Sequence, residues 1–146
     1  MRIPFACMLL LLLSAAVLAQ PNERYKRFIN QHINNKMTNV KKCDQEMRNR
    51  DIKTIDNKCK ETNTFILSTN KPVKAICEKA GKPFGQMTVS LQPFPIIVCE
   101  LKSDVSSTPC QYSGKRLTRY LVIGCENGFP VHFDRDLVNL PAHFEN

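Results

Sequence analysis

Seven cysteines are the feature that most constrains how this chain can fold. Cys7 lies in an apolar leader, and six more follow it. An even number in a secreted domain predicts three disulfides, although the sequence alone leaves their pairing open. The wide spacing disfavours a zinc site of CxxC knuckles. It predicts large closed loops, and a disulfide that closes a loop of roughly 50 residues stabilises the folded state by about 4 kcal/mol. The six are Cys43, Cys59, Cys77, Cys99, Cys110 and Cys125.

The first residues have the organisation of a secretory signal peptide. A cation at Arg2 precedes an apolar run, Cys7–Leu13, and a small-residue stretch that places Val17 and Ala19 at the cleavage positions. We expect cleavage before Gln20. The alternative is a membrane anchor, but the uncharged segment is short for a spanning helix and no basic stop follows it.

Removal of residues 1–19 as the signal peptide would leave one small, basic domain, residues 20–146. The full chain has a net charge of +8, and loss of Arg2 would reduce it to +7. The remaining length suits a single domain with one modest core. A secreted domain this basic is expected to bind polyanions, which include nucleic acid, heparin-like glycans and anionic membranes. Charge alone does not choose among these partners.

Helical periodicity is concentrated in the first half of the domain. Three aromatic or apolar residues and His32 recur at i, i+3, i+4 and i+7, which predicts a helix with His32 on its buried face. Asn22 is the predicted N-cap of this helix. Shorter helices are predicted over Cys43–Arg50 and from Asn70 through Cys77. The periodic residues of the first helix are Tyr25, Phe28, Ile29 and His32.

The second half has the alternating, β-branched composition of strands, divided by prolines and glycines. Helices early and strands later, without regular alternation of the two, predict the α+β class with an antiparallel sheet. The strands are predicted over Met87–Leu91, Ile96–Leu101, Leu117–Ile123 and Val131–Asp134.

Two histidines and a lysine are the candidate chemical groups. His132 and Asp134 lie two residues apart, so on a strand they point the same way and the carboxylate can orient the imidazole. Lys60 follows Cys59, where a crosslink would hold its ammonium in place. Two imidazoles and a fixed cation suffice for acid–base phosphoryl transfer without a metal. Taken singly, His32 also fits a core histidine, and His132 a surface histidine beside a chance acid.

Three motifs in order place these residues in a common pattern. They are Gln31-His32, the signature Cys59-Lys60-x-x-Asn63-Thr64-Phe65, and Val131-His132-Phe133-Asp134. With the cysteine spacing, they resemble the pancreatic-type ribonuclease A superfamily over essentially the whole secreted domain. Six cysteines rather than eight, and the segments Lys74–Glu78 and Cys125–His132, are similar to the angiogenin branch and to related non-mammalian ribonucleases, including those of fish.

The resemblance implies a kidney-shaped, ribonuclease A-like α+β fold, with helices on a twisted antiparallel sheet and a cleft between two lobes. The helix that carries His32 would face the strand that carries His132 across this cleft. No metal or other cofactor is implied. The disulfides implied are Cys43–Cys99, Cys59–Cys110 and Cys77–Cys125.

The resemblance also implies a role for each site residue. His32 would be the general base for the ribose 2′-OH, His132 the general acid for the leaving 5′-oxygen, and Lys60 would stabilise charge on the phosphate. Thr64 would read a pyrimidine, and Glu126 would contact the base beyond the cut. The 2′-OH requirement restricts the substrate to RNA, and the product would be a 2′,3′-cyclic phosphate. The implied substrate-binding residues are Arg27, Gln31, Asn63, Thr64, Glu126, Phe133 and Asp134.

The biological role is open between two classes of protein. One is a secreted, pyrimidine-preferring endoribonuclease with an angiogenic or antibacterial use. The other is a cationic growth-factor-like or bactericidal protein whose catalysis is weak or incidental. Partners beyond RNA would be heparin-like glycans, anionic bacterial membranes or a cell-surface receptor, and a monomer is expected.

Three local features raise narrower questions. Arg48 and Arg50 fall where angiogenins carry a nuclear-targeting cluster, which would allow nuclear uptake, but a solvated basic face explains them as well. Arg135 directly follows Asp134, where angiogenins place a residue that obstructs the pyrimidine site, so it could block that site or reach the phosphates. His143 is expected to be a bystander near the C-terminus.

Overall fold

The computed structural model describes residues 23–142 of the chain. The predicted signal peptide, the Asn22 cap and His143 lie outside the described residues. No helix within 23–142 is long and apolar enough to cross a membrane.

The predicted helices are present in the first half of the described range. Residues 23–32 belong to helix α1, which buries Phe28 and His32 as its periodicity predicted. Helix α2 is Cys43–Asn49 and helix α3 is Asn70–Lys74. A short 3-10 turn precedes α2 over Val40–Lys42, and another continues α3 over Ala75–Cys77.

Six strands, of which β1 lies between α2 and α3, form one antiparallel sheet with the order β1-β4-β5-β3-β2 and with β6 paired to β5. The α+β class is therefore confirmed. The long β5 holds the sheet together, because it pairs with β4 over its first half and with β3 and β6 over its second. The strands are β1 Thr62–Ile66, β2 Gly81–Phe84, β3 Met87–Ser90, β4 Phe94–Leu101, β5 Tyr112–Glu126 and β6 Phe129–Leu137.

The sheet is buried on both faces, so its central strand β4 carries a continuous buried run, residues 96–99, rather than strict alternation. Neighbouring residues of β1, Phe65 and Ile66, enter different core clusters, because successive side chains of a strand point to opposite faces. On the face of the sheet that carries Ile66, the core includes Phe28 of α1 and Val73 of α3. On the face that carries Phe65, the core includes Met47 of α2. Helix α1 is therefore fixed against the sheet beside β1.

The three disulfides have the pairing that the family resemblance implied, Cys43–Cys99, Cys59–Cys110 and Cys77–Cys125. Their Cα atoms lie 5.6–5.7 Å apart, within the usual range. The first joins α2 to β4, the second joins the segment before β1 to the turn before β5, and the third joins the 3-10 turn after α3 to β5. Each crosslink therefore ties a segment from the first half of the domain to the second half.

Candidate active site

A cleft of about 490 Å³ opens between α1, β1 and β6. Nine of the ten catalytic and substrate-binding residues predicted from the sequence line it. They come from segments far apart in the chain, and the sheet brings those segments together. The nine are Arg27, Gln31, His32, Lys60, Asn63, Thr64, His132, Phe133 and Asp134.

His32, at the end of α1, is buried and its ring is held in one orientation. Its Nδ1 lies 2.8 Å from the carbonyl oxygen of Thr64. A carbonyl only accepts hydrogen bonds, so Nδ1 carries the proton and Nε2 holds the lone pair of the neutral ring. The rings of Phe28 and Phe133 each lie 5.2 Å from the imidazole, centroid to centroid. The arrangement therefore offers Nε2 as the basic atom.

Burial lowers the pKa of His32 from 6.5 to about 4. The Thr64 carbonyl opposes this change, because it accepts from the ring N–H, while the nearby charges of Lys60 and His132 lower the pKa further. The imidazole is consequently neutral at neutral pH, as a general base must be.

Lys60 enters the cleft beside β1, where an amide side chain orients its ammonium. Lys60 Nζ donates to Asn63 Oδ1 at 2.9 Å, and Asn63 Nδ2 donates to the carbonyl of Gln31 at 2.8 Å. Asn63 is buried, so it links Lys60 rigidly to the end of α1. Burial also lowers the pKa of Lys60. The ammonium is thus held near His32 by a continuous chain of hydrogen bonds.

The backbone of Lys60 is fixed from the other side by β5. The Tyr112 hydroxyl donates to the Lys60 carbonyl at 2.7 Å, and the Tyr112 N–H donates to Asp44 Oδ1 at 2.6 Å. Burial raises the pKa of Tyr112, and the Asp44 charge adds to this effect. The adjacent disulfide Cys59–Cys110 bears out the expectation of a crosslink beside Lys60.

His132 lies on β6 between two irregularities of the strand. Residues 132 and 133 pair with 124 and 123, but 130 pairs with 125 and 135 with 122, so Val131 and Asp134 are extra residues in the ladder. Such bulges re-aim side chains. His132 Nε2 lies 3.5 Å from Asp134 Oδ1, as their spacing predicted. Because Nε2 faces this carboxylate, Nδ1 is the nitrogen left for a substrate.

The register of β1 explains how Thr64 reaches the cleft. Leu101 N–H donates to the Glu61 carbonyl, and Leu67 N–H donates to the Pro95 carbonyl, so odd-numbered positions exchange hydrogen bonds with β4. In an antiparallel pair the residues between them point their N–H and C=O the other way. Thr64 opposes Val98 and lies at such a position. Its carbonyl accepts from His32, and its N–H points toward the cleft.

Arg135 is held against the β2–β3 hairpin. Its guanidinium carbon lies 5.3 Å from the ring centroid of Phe84, and Nη1 lies 3.8 Å from Asp134 Oδ2. Within residues 23–142, no hydrogen bond joins Arg135 to Thr64. The guanidinium thus lies near Phe84 and Asp134 and is not bonded across the cleft to Thr64.

Glu126 is the one predicted substrate contact that does not line this cleft. It forms an exposed ion pair with Arg24 of α1 instead. Other lining residues were not singled out as site residues. Phe28 could have been predicted to line the cleft from its helical spacing to His32. Val98 could not have been predicted, because its place in the cleft depends on strand register. The lining residues not predicted as ligands are Phe28, Thr62, Val98, Val131, Arg135 and Asp136.

In the part of the chain that the structure describes, no three His, Cys, Asp or Glu side chains are grouped to hold a metal ion. The six cysteines of this part are all in disulfides. The groups that line the cleft include two imidazoles, an ammonium, two guanidiniums, carboxylates, amides and threonine hydroxyls.

This fold and this cleft define a ribonuclease of the pancreatic type. Residues 23–134 match the family described as Pancreatic ribonuclease, and the chain belongs to that family. The match includes all ten of the predicted catalytic and substrate-binding positions.

Within the family, the most similar relatives include angiogenins. The chain is 38% identical over 143 residues to angiogenin-3 of the mouse, Mus musculus, with 93% of this chain and 97% of the relative covered. It superposes on the X-ray structure of zebrafish RNase5 with a TM-score of 0.74 at 42% identity, covering 77% of this chain and 93% of the other. Green turtle egg white ribonuclease gives a TM-score of 0.72 at 32% identity, covering 78% and 98%. The angiogenin resemblance is thereby confirmed.

Proposed function

We propose that this protein is a secreted endoribonuclease that cleaves RNA on the 3′ side of pyrimidines. The observation that carries the proposal is that two imidazoles in one cleft present different ring nitrogens to the space where a substrate would lie. His32 offers a neutral Nε2, and His132 offers Nδ1 while Asp134 faces its Nε2. A base and an acid on either side of a phosphate are what an in-line displacement needs.

In the proposed reaction, His32 Nε2 takes the proton of the ribose 2′-OH and the 2′-oxygen attacks the adjacent phosphorus. The bond from phosphorus to the 5′-oxygen breaks, and His132 protonates the departing oxygen. The products are a 2′,3′-cyclic phosphate and a 5′-hydroxyl end. Lys60 stabilises the charge that grows on the non-bridging oxygens, an interaction strongest in the transition state. No bond to a metal ion is required at any step.

The phosphate would lie against the end of α1 and the start of β1. Gln31 and the backbone at Phe133 are proposed to hold it, with Asn63 orienting Lys60. Arg27 lies one and a half turns before His32 on α1 and would take a neighbouring phosphate. Glu126 stays a proposed contact for the downstream base, which would require it to leave its ion pair with Arg24.

Thr64 is the proposed reader of the pyrimidine. Its N–H would donate to the base carbonyl O2, and its hydroxyl would face N3. A hydroxyl both donates and accepts, so it suits N3 of cytosine and N3–H of uracil alike. Val98 and Phe133 supply apolar walls to the cleft. A purine would present a different edge, and its second ring would need more depth.

Cleavage of dinucleotides tests this specificity. The purified protein should cleave UpA and CpA far faster than ApA. Thr64→Val removes the hydroxyl and should lower kcat/KM on both pyrimidine substrates about 10-fold or more, because a polar edge of the base loses its partner. Thr118→Val, an exposed threonine of β5, is the matched control. Equal rates on UpA and ApA would contradict the proposal.

A second candidate function is supported by the angiogenin relatives and the basic charge. In this view the protein acts on cells as a cationic ligand, through heparin-like glycans, a receptor or bacterial membranes, with catalysis incidental. Lys60→Ala separates the two, since it should abolish cleavage and leave most of the charge. Undiminished endothelial or bactericidal effects of that variant would favour the second function, and their loss would favour the first.

A further inference from the structure

Arg50, at the end of α2, makes three hydrogen bonds with the segment that ends α1, the helix that carries His32. Its Nη1 donates to the carbonyls of Asn30 and Ile33, at 2.9 and 2.8 Å. In return, Asn30 Nδ2 donates to the Arg50 carbonyl at 3.0 Å. His32 lies between the two carbonyls in sequence. Arg50 therefore clasps the segment that ends α1 from both sides of the catalytic position.

The contacts satisfy groups that a helix end leaves without partners. The last four carbonyls of an α-helix have no intrahelical donor, and a cation there also complements the helix dipole. The Asn30 carbonyl is one of these four, and the Ile33 carbonyl lies just beyond them. Both carbonyls accept from the one nitrogen Nη1, while Nε of the same guanidinium is bonded to Glu46. A lysine has no second nitrogen with which to hold Glu46 at the same time.

Arg50 is itself held in a fixed orientation. Its Nε donates to Glu46 Oε2 at 3.2 Å, one turn back on α2, and the two side chains are only 24% and 21% exposed. Its guanidinium carbon also lies 5.6 Å from the ring centroid of Phe65. Phe65 follows Thr64, whose carbonyl orients the His32 ring. Arg50 thus contacts both elements that fix the imidazole, α1 directly and β1 through Phe65.

From this geometry we infer that Arg50 is a positioning residue for His32. It clamps the C-terminal end of α1 to α2 and so holds the general base at the distance and angle that attack requires. This inference rests on the proposed function, because His32 has a position to keep only if it is the base. It also assigns Arg50 to the fold rather than to a free basic cluster. Arg48 remains exposed, as do Lys41 and Lys42.

Three variants test the clamp. Arg50→Ala removes it, Arg50→Lys keeps the charge but not the fork, and Arg48→Ala removes an exposed cation two residues away. We expect kcat on UpA to fall about 10- to 100-fold in Arg50→Ala with KM nearly unchanged, because a small misplacement of a catalytic group has effects of that order. Arg50→Lys should recover part of the rate, and Arg48→Ala should match wild type.

A second readout does not depend on cleavage. The imidazole of His32 can be titrated by NMR, and the charged groups that face it are Lys60 and His132. A loosened helix end would admit water, so the midpoint should rise in Arg50→Ala and, with charge preserved, also in Arg50→Lys. Wild-type kcat and an unchanged His32 titration in Arg50→Ala would overturn the inference. A wild-type protein that does not cleave RNA would instead contradict the proposed function and leave the titration as the test of the clamp.

Discussion

At the scale of the residue, the two histidines differ in environment more than in chemistry. His32 is buried between two aromatic rings and hydrogen-bonded to a backbone carbonyl, whereas His132 is half exposed beside a carboxylate. The backbone carbonyl fixes one tautomer and the carboxylate favours the other. In the proposed mechanism, these environments prepare the two imidazoles for opposite halves of a proton transfer.

The burial of His32 has a consequence for stability that does not involve catalysis. Its folded pKa of about 4 lies below the ordinary 6.5 of an unfolded chain. The unfolded state therefore binds more protons between these values, so the stabilising contribution is complete above pH 6.5 and is lost as the pH falls to 4. The full contribution is about 3 kcal/mol.

Denaturant unfolding at several pH values checks this prediction. Wild type should lose stability more steeply than His32→Gln between pH 6.5 and 4, because glutamine does not titrate. Above pH 6.5 the two curves should run parallel. Curves that stay parallel throughout the lower window would show that His32 titrates normally in the folded protein.

At the scale of the element, the site depends on strand irregularities and strand edges. Thr64 presents backbone groups to the cleft because β1 is an edge strand there. The side chain of His132 lines the cleft because β6 is bulged on either side of it. Neither feature is visible as a sequence pattern. The motifs identified the residues, but only the register shows which backbone groups of Thr64 face the cleft.

Two strands, β1 and β2, were not predicted, and each for a physical reason. β1 begins with Thr62 and Asn63, and Asn63 is buried only because Lys60 and the end of α1 satisfy its amide. β2 contains Gly81 and Pro83, residue types that are depleted in strands. An edge strand tolerates proline, and a Cβ at Gly81 would lie 2.0 Å from the Ile76 carbonyl oxygen. Long-range contacts override local propensity in both strands.

The link from β5 to Lys60 gives a prediction at this scale. Tyr112→Phe removes the hydroxyl that donates to the Lys60 carbonyl. We expect a loss of about 1 kcal/mol in unfolding free energy, the usual contribution of a hydrogen bond. We also expect kcat to fall several-fold with KM little changed, because in the proposed mechanism Lys60 acts mainly in the transition state.

The same substitution at another strand position controls for the loss of a phenol. Tyr120 also lies on β5, and within residues 23–142 its hydroxyl makes no hydrogen bond to another residue. Tyr120→Phe should leave kcat within experimental error of wild type. An unchanged kcat in Tyr112→Phe would indicate that the disulfide Cys59–Cys110 holds Lys60 without help from Tyr112.

At the scale of the whole molecule, the sequence predicted the fold class from its own patterns, and the family resemblance it carries predicted the disulfide pairing and most of the cleft. Motifs separated by many residues pointed to one site because the family fixes their order, and the sheet brings them together as expected. Glu126 is the predicted substrate contact that does not line the cleft. Its position matches the family pattern, but its partner here is Arg24, a contact that no motif encodes.

The overall charge predicts how cleavage of long RNA depends on salt. A protein of net charge +8, or +7 after loss of Arg2, should contact phosphates beyond the one that is cut. Each such contact releases counterions, so kcat/KM on long RNA should fall steeply with salt concentration. Cleavage of UpA, which has a single phosphate, should depend on salt much less. Equal slopes for the two substrates would show that the remaining cations do not touch the RNA.

In the proposed mechanism, His32 and His132 act together as base and acid in RNA transphosphorylation. The most direct measurement compares UpA cleavage at neutral pH by wild type, His32→Ala and His132→Ala, with the product identified chromatographically. Wild type should release a uridine 2′,3′-cyclic phosphate, and each variant should lose about 100- to 10,000-fold in kcat/KM while keeping the wild-type circular dichroism. Turnover within tenfold of wild type in either folded variant, or a product without the cyclic phosphate, would contradict the account.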